Sequence, residues 1–331
     1  MTKTTLGLLA ALVLGAAALY ALRSDTSAEA TSAYPERAFG VPDREAVARI
    51  FIADMSGRTM DLTRGADGVW LIDDSLVASP TIVEQMRATL EQLRIDHVPT
   101  RATADVQREY LAARALKVEA FDAAGEKLTG VLIGSSVSKG RGSYMVVDGY
   151  DEIFAVRRGM LTGSVRPQFD LRGVAAYRSQ DFMTYDPADI QSVEVRYPRA
   201  PSRSFAIRRE TDGLVLEPLA SVVGVARRQP QARRLESYLE GFSDVPLARW
   251  VNDHDYRDSI SAMVPFMQIV VATTSARDTF ELQPAALLKD GVYDQANPFN
   301  TYWVERGTHD FVTVQDHQID QLLRGYQDFF Q

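Results

Sequence analysis

The fold is decided by the stretch DGVWL at residues 67–71, which recurs as DGLVL at residues 212–216. Each copy is followed by apolar residues at helical spacing. These residues are Met86, Leu90 and Leu93 after the first copy, and Leu235, Leu239 and Phe242 after the second. Further on, YMVV at residues 144–147 recurs as YWVE at residues 302–305. Because the matches keep their order at an offset of roughly 145 to 158 residues, the sequence predicts a duplicated domain and not a short-period solenoid.

The first copy combines strand signals with one clear helix. Ser79 is a good N-cap and Pro80 suits the first helical position, so a helix is predicted to begin there and to reach Leu93. A weaker helix is predicted near residues 104–113. Strands are predicted at residues 47–55, 60–62, 69–72, 116–121, 128–133, 144–147 and 153–156.

The second copy keeps the same order of signals. Phe280 and Leu282 are expected in the places of Leu128 and Leu132, and a terminal helix is predicted at residues 318–330. The predicted fold class is therefore α+β, with two tandem, duplicated modules of mostly antiparallel sheet and packed helices behind one N-terminal transmembrane helix. The predicted modules are residues 44–180 and 181–331.

The N-terminus carries an uninterrupted apolar run at residues 6–22 between Lys3 and Arg23. As a helix the run would span roughly 26 Å, close to the ~30 Å hydrocarbon core of a bilayer. We therefore predict a membrane anchor at residues 1–23, a flexible tether at 24–43, and a body in the periplasm. A secretory signal peptide cleaved after Ala30 is the alternative.

Composition excludes several classes of function. A net charge of -8 argues against binding to nucleic acid, because phosphate contacts need a surplus of Lys and Arg. The chain has no cysteine, which excludes thiol nucleophiles, disulfides and thiolate zinc sites. The glycine-rich loop at residues 134–143 lacks the Gly-Lys-Ser/Thr order of a phosphate-binding loop. Three histidines stand beside aspartates at residues 253–255, 309–310 and 316–317, but without ligand spacing, so no metal and no cofactor is predicted.

Two features suggest an interaction surface. Arginines concentrate between residues 196 and 234 of an otherwise acidic chain, and aromatic residues stand on the loop before the last hairpin. The residues predicted to form this surface are Arg208, Arg209, Arg227, Arg228, Tyr293 and Phe299. For the arginines, an ordinary solvated face with nearby glutamates as counter-charges is the alternative.

The chain resembles the bacterial family known as domain of unknown function 4340. The resemblance lies in GVWL at residues 68–71, in Ile133-Gly134 with the downstream Tyr144, and in DLR at 170–172 ahead of DPADI at 186–190. The chain departs from the family pattern where Tyr110 is followed by leucine, and not by the usual glycine. The resemblance implies an envelope protein with an N-terminal membrane segment, often encoded beside ABC-type export permeases, and it implies no catalytic residues.

These observations favour a non-catalytic, membrane-anchored periplasmic accessory or scaffold protein. Its expected partner is an ABC-type permease, an auxiliary subunit or another envelope protein. One alternative is a module that binds a glycan or peptidoglycan fragment in the cleft between the two modules. Another is an envelope hydrolase that works with carboxylates alone.

Overall fold

The computed structural model describes residues 39–159, 162–220, 229–285, 288–289, 292–293, 301–307 and 310–330. The chain divides into two compact units between Ser179 and Gln180. The predicted anchor at residues 1–23 and the tether as far as residue 38 lie outside the described residues. No helix within the described ranges combines the length and the apolar character needed to cross a bilayer.

The first unit is built on one antiparallel sheet of nine strands. The strands are β1 (Arg49–Asp54), β2 (Thr59–Arg64), β3 (Trp70–Ile72), β4 (Leu76–Val77), β5 (Leu93–His97), β6 (Leu116–Phe121), β7 (Lys127–Ser136), β8 (Ser143–Val147) and β9 (Phe154–Arg158). Their order across the sheet is β4-β3-β2-β1-β6-β7-β8-β9-β5. Two helices, α1 (Pro80–Glu91) and α2 (Arg101–Arg114), complete the unit.

Helix α1 connects the two opposite edges of this sheet. Its Val83, Met86 and Leu90 are buried in the same core as Ile50 and Ile52 of β1. The spacing of three and four residues places these side chains on one face, as the sequence predicts. Ser79 occupies the N-cap position, but its side chain makes no capping hydrogen bond. Its backbone N–H instead donates to the Tyr177 carbonyl at 2.7 Å, which fixes the start of the helix.

Helix α2 covers part of the opposite face of the sheet. Leu111 of α2 lies in a smaller apolar cluster with Val137, Tyr144 and Ala155. Leu132 packs against this cluster, whereas its neighbours Val131 and Ile133 point into the main core.

The second unit is built on an antiparallel sheet of eight strands. The described strands of the whole unit, including those outside this sheet, are β10 (Asp181–Met183), β11 (Ile190–Arg196), β12 (Phe205–Glu210), β13 (Gly213–Pro218), β14 (Val245–Pro246), β15 (Arg249–Trp250), β16 (Met267–Thr273), β17 (Arg277–Pro284), β18 (Leu288–Lys289), β19 (Val292–Tyr293), β20 (Thr301–Arg306) and β21 (Asp310–Gln315). The main sheet has the order β13-β12-β11-β16-β17-β20-β21-β15, and β10-β14 and β18-β19 form two small ribbons. The helices are α3 (Ala232–Glu240), α4 (Arg257–Ser261) and α5 (Asp316–Ile319).

The two main sheets have the same strand order. Beginning from β3, the first sheet runs β3-β2-β1-β6-β7-β8-β9-β5, and each strand has a counterpart at the same place in the second. DGVWL forms the turn into β3 and DGLVL forms the turn into β13. The α+β class with mostly antiparallel strands, predicted from the sequence, is confirmed.

The register of the sheets corrects one predicted correspondence. Leu116 pairs with Ile133 in the first sheet, and Met267 pairs with Leu282 in the second. Leu282 therefore corresponds to Ile133, and Phe280 corresponds to Val131. The expected matches to Leu128 and Leu132 are displaced by three residues and by one residue, and an odd displacement moves a side chain to the other face of a sheet.

The predicted terminal helix is interrupted. Helix α5 ends at Ile319, and two short 3-10 segments follow at Asp320–Leu322 and Tyr326–Phe329. Gly325, at φ -111 and ψ 166, is extended, and its N–H donates to Asp328 at 2.8 Å, which starts the last segment anew. Apolar residues of these segments, among them Leu322 and Phe329, still pack into the core of the second unit.

Candidate functional site

The predicted interaction residues that the structure describes do not form one basic face. Arg208 and Arg209 are neighbours on β12, and neighbouring residues of a strand point to opposite faces. Arg208 is half-exposed and pairs with Glu217 of β13 at 3.2 Å. Arg209 donates to the backbone carbonyls of Ile190 at 3.0 Å and Pro187 at 2.8 Å, so its guanidinium stabilises the start of β11.

The side chains of the other predicted interaction residues are not among those that the structure describes. Arg227, Arg228 and Phe299 lie outside the described residues. Tyr293 lies on the two-residue strand β19, of which only the backbone is described. Their role in binding therefore stays a prediction.

The strand β13 is an edge of the second sheet. It is six residues long and pairs with β12 alone among the described strands. Leu214 and Leu216 pack in part against the core, and Val215 points to the other face, level with Arg208. In the first sheet the corresponding strand β3 is covered on its outer side by β4, with Leu71 opposite Val77. An edge strand leaves backbone N–H and C=O groups free for another strand.

The other edges of the described sheets are less suited to pairing. Strands β4 and β15 have two residues each. Strand β5 has five, but three of them are Arg94, Asp96 and His97. Charged residues on an edge oppose the addition of a further strand, whereas the middle of β13 carries only leucine and valine. A cavity of about 340 Å³, lined by Tyr197, Pro201 and Leu219 among others, lies just past the end of β13.

A polar cavity of about 400 Å³ lies in the first unit. It is lined by Asp96, His97, Val137, Ser138, Arg141 and Tyr144. Strand β5 supplies the first two residues, and the loop between β7 and β8 supplies Val137, Ser138 and Arg141. The sequence drew attention to this loop but not to His97, and no local signal links the two, because β5 reaches the loop only by pairing with β9.

His254 of the second unit lies among aromatic side chains. His254 packs against Trp303 in a tilted arrangement with ring centroids 4.6 Å apart, and Trp303 stacks on Phe311 at 5.6 Å. No cluster of three or more His, Asp or Glu residues able to hold a metal occurs among the described residues. His309 lies outside them.

Among the described residues, Glu45 and Asp54 are the carboxyl groups whose pKa is shifted. A hydrogen bond and the charge of Arg87 lower the pKa of Glu45. Burial raises the pKa of Asp54, but hydrogen bonds from Ser56 and Arg58 outweigh it and lower the pKa. A general acid in a hydrolase needs a raised pKa, and both shifts have the opposite direction.

The comparisons with known proteins give one match. The family described as "Domain of unknown function (DUF4340)" matches residues 70–259, more than half of the chain. The match begins at β3 of the first unit and ends within α4 of the second. No curated protein and no solved structure matches the chain.

Proposed function

The chain belongs to the DUF4340 family, and from that premise we propose that it is a non-catalytic accessory protein of the bacterial cell envelope. In this proposal the apolar segment at residues 6–22 anchors the chain in the inner membrane, and both folded units lie in the periplasm. The second unit docks a partner, an ABC-type permease or its auxiliary subunit. The two units arose by duplication, which accounts for their common strand order.

The observation that carries the docking proposal is the edge strand β13. It offers six residues of backbone for strand addition, and its central side chains are Leu214, Val215 and Leu216. A partner strand placed beside β13 would gain main-chain hydrogen bonds, and its alternate side chains would contact these apolar residues. Glu217 and Pro218 limit the pairing at one end, since proline has no N–H to donate.

A comparison of the equivalent strands β3 and β13 supports a functional role for this edge. In the first unit β4 covers the outer side of β3, so the equivalent edge is closed. In the second unit the described strands leave the outer side of β13 open. We infer that the second unit specialised in docking after the two copies diverged.

Photo-crosslinking in native membranes tests the proposal. A benzoylphenylalanine placed at Val215 is expected to crosslink to a permease or another transporter subunit, identified by mass spectrometry. The same probe at Leu71, on the covered strand β3, is the matched control, because both side chains are half-buried on equivalent strands. Absence of an envelope partner at Val215, or equal capture at both positions, would refute docking through β13.

A second candidate function is the binding of a glycan or peptidoglycan fragment. The polar cavity of the first unit favours it, because it combines a pocket volume typical of small ligands with several convergent polar groups. Trp303 does not favour it, since Phe311 and His254 both pack against its ring.

A further inference from the structure

The polar cavity of the first unit begins with an irregularity in β5. Ile95 pairs with Val156 and His97 pairs with Ala155, so Asp96 is an extra residue that forms a β-bulge. Adjacent residues of a regular strand point to opposite faces, and a bulge removes this constraint. Asp96 and His97 can therefore both line the cavity, and Nδ1 of His97 lies 2.9 Å from Oδ2 of Asp96.

Asp96 has a cationic partner and a hydrogen-bond partner. Its Oδ1 lies 3.3 Å from Nε of Arg157, and its Oδ2 contacts His97. Asp96 therefore orients the imidazole ring and leaves its Nε2 available to the cavity. In the neutral ring with a proton on Nδ1, Nε2 accepts a hydrogen bond, for example from a ligand hydroxyl.

The opposite wall of the cavity is a tightly folded loop. Val137 N–H donates to the Gly142 carbonyl at 2.9 Å, and Gly140 N–H donates to the Val137 carbonyl at 3.0 Å. Gly142 has φ 138, and a Cβ there would lie 2.1 Å from the carbonyl oxygen of Val156 on β9. Only glycine permits this close approach, which holds the loop against the strand that pairs with β5.

Several donors in this cavity have no partner within the protein. Across the described residues, no hydrogen bond or ion pair engages the side chains of Ser138 and Arg141 or the hydroxyl of Tyr144. Arg141 is exposed, whereas Tyr144 is buried. A guanidinium binds a carboxylate through two parallel hydrogen bonds, and the hydroxyls and Nε2 suit ligand hydroxyl groups.

We propose that this cavity binds a small hydroxylated carboxylate of the size of an acidic sugar. Arg141 binds the carboxylate, and His97, Ser138 and Tyr144 bind the hydroxyl groups. The volume of about 400 Å³ is within the range for small-ligand pockets, roughly 300 to 1,000 Å³. The proposal concerns the first unit alone and does not depend on docking through β13.

Calorimetric titration of the purified full-length protein tests the site with matched ligand pairs. N-acetylmuramate, D-glucuronate and D-galacturonate carry a carboxylate, and N-acetylglucosamine, D-glucose and D-galactose are their neutral counterparts. At least one acid is expected to bind about tenfold or more tightly than its neutral counterpart, because the charge-assisted pair with Arg141 is lost in the neutral sugar. Lack of binding by all three acids at millimolar concentration, or equal binding of acids and neutral sugars, would overturn the proposal.

Two variants distinguish binding in the cavity from nonspecific attraction of an anion to surface arginines. Arg141→Gln is expected to weaken binding of the acid about tenfold or more and to leave the neutral sugar unchanged. Arg101→Gln removes an exposed arginine that does not line the cavity, and it is expected to bind like the wild type. Both side chains are exposed, so both variants should fold. Wild-type affinity in Arg141→Gln, or an equal loss in Arg101→Gln, would contradict the assignment.

Discussion

At the residue scale, Asp54 shows how one buried side chain organises a turn. Its Oδ1 accepts hydrogen bonds from the backbone N–H of Ser56 at 2.9 Å and of Arg58 at 3.1 Å. Its Oδ2 accepts from Nε of Arg58 at 2.8 Å, and Arg58 also donates to the Leu171 carbonyl at 2.9 Å. Asp54 therefore stabilises the β1–β2 turn and, through Arg58, the segment that contains Leu171.

Asp54→Asn is expected to lower the free energy of unfolding by about 1–2 kcal/mol at pH 7, because an amide weakens the charge-assisted hydrogen bonds that Asp54 accepts. The loss stays modest because the guanidinium of Arg58 is largely exposed to solvent. The folded-state pKa of Asp54 is lowered, so its contribution is present above the unfolded pKa of about 4 and is lost as pH falls through the folded value. Urea unfolding at pH 7 and near pH 3 measures the difference, which should shrink in acid.

The matched control for this prediction is Asp122→Asn. Asp122 also organises a hairpin turn, and its Oδ1 accepts from the N–H groups of Ala124 and Glu126. It is half-exposed and has no ion pair among the described residues. A smaller loss is expected there, and an equal loss in both variants would contradict the role assigned to Arg58.

At the element scale, local patterns predicted the strands and helices better than their partners. The helix from Pro80 and the strand at residues 116–121 follow from capping and from β-branched, aromatic and alternating residues. The pairing of β5 with β9 did not, because it joins residues far apart in sequence and contains a bulge. The polar cavity depends on that pairing, so the sequence indicated the glycine-rich loop but not its proximity to Asp96 and His97.

The place of β13 at the edge of the sheet, among the described strands, was likewise beyond the sequence. DGVWL and DGLVL each indicate a turn and a strand, but the covering of β3 by β4 rests on a short pairing of Leu71 and Ile72 with Val77 and Leu76. Two residue pairs are too weak a signal to predict. The edge that supports the docking proposal therefore became visible only from the order of the strands.

Val215→Lys is expected to reduce recovery of the co-purified partner about tenfold or more, because a charge on an edge strand opposes the addition of another strand. Val215 lies on the face away from the core, so the fold should persist. Val69→Lys, beside the covered strand β3, is the control, since Val69 is 39% exposed. Unchanged recovery with Val215→Lys, measured by quantitative mass spectrometry, would count against β13 as the docking element.

At the scale of the whole molecule, the two units have separate apolar cores. The main core of the first unit contains residues between Phe39 and Tyr177, and that of the second contains residues between Phe182 and Phe329. The same strand order thus encloses two different sets of side chains. The second core is richer in aromatic residues, and Phe205, Tyr238 and Phe329 contact one another edge-on, with ring centroids 5.0 to 5.5 Å apart.

The common order of elements in the two units could be expected at this scale because the repeated stretches of sequence keep their order along the chain. The differences between the copies were not predictable. Helix α2 has fourteen residues, whereas its counterpart α4 has five. Consequently Leu111 covers the outer face of the first sheet, and the stacked rings of Trp303 and Phe311 lie at the corresponding strands of the second.

Separate cores lead to a prediction about local stability. Leu90 of α1 and Leu239 of α3 are both buried helical leucines, one in each core. Each change to alanine is expected to cost about 2–5 kcal/mol, through lost burial and a residual cavity. Because no residue belongs to both cores, Leu90→Ala should speed amide hydrogen exchange in strands of the first unit, and Leu239→Ala in strands of the second. Hydrogen exchange with mass spectrometry on the full-length variants makes the comparison. Equal loss of protection in both units from either variant would show that the two cores unfold as one.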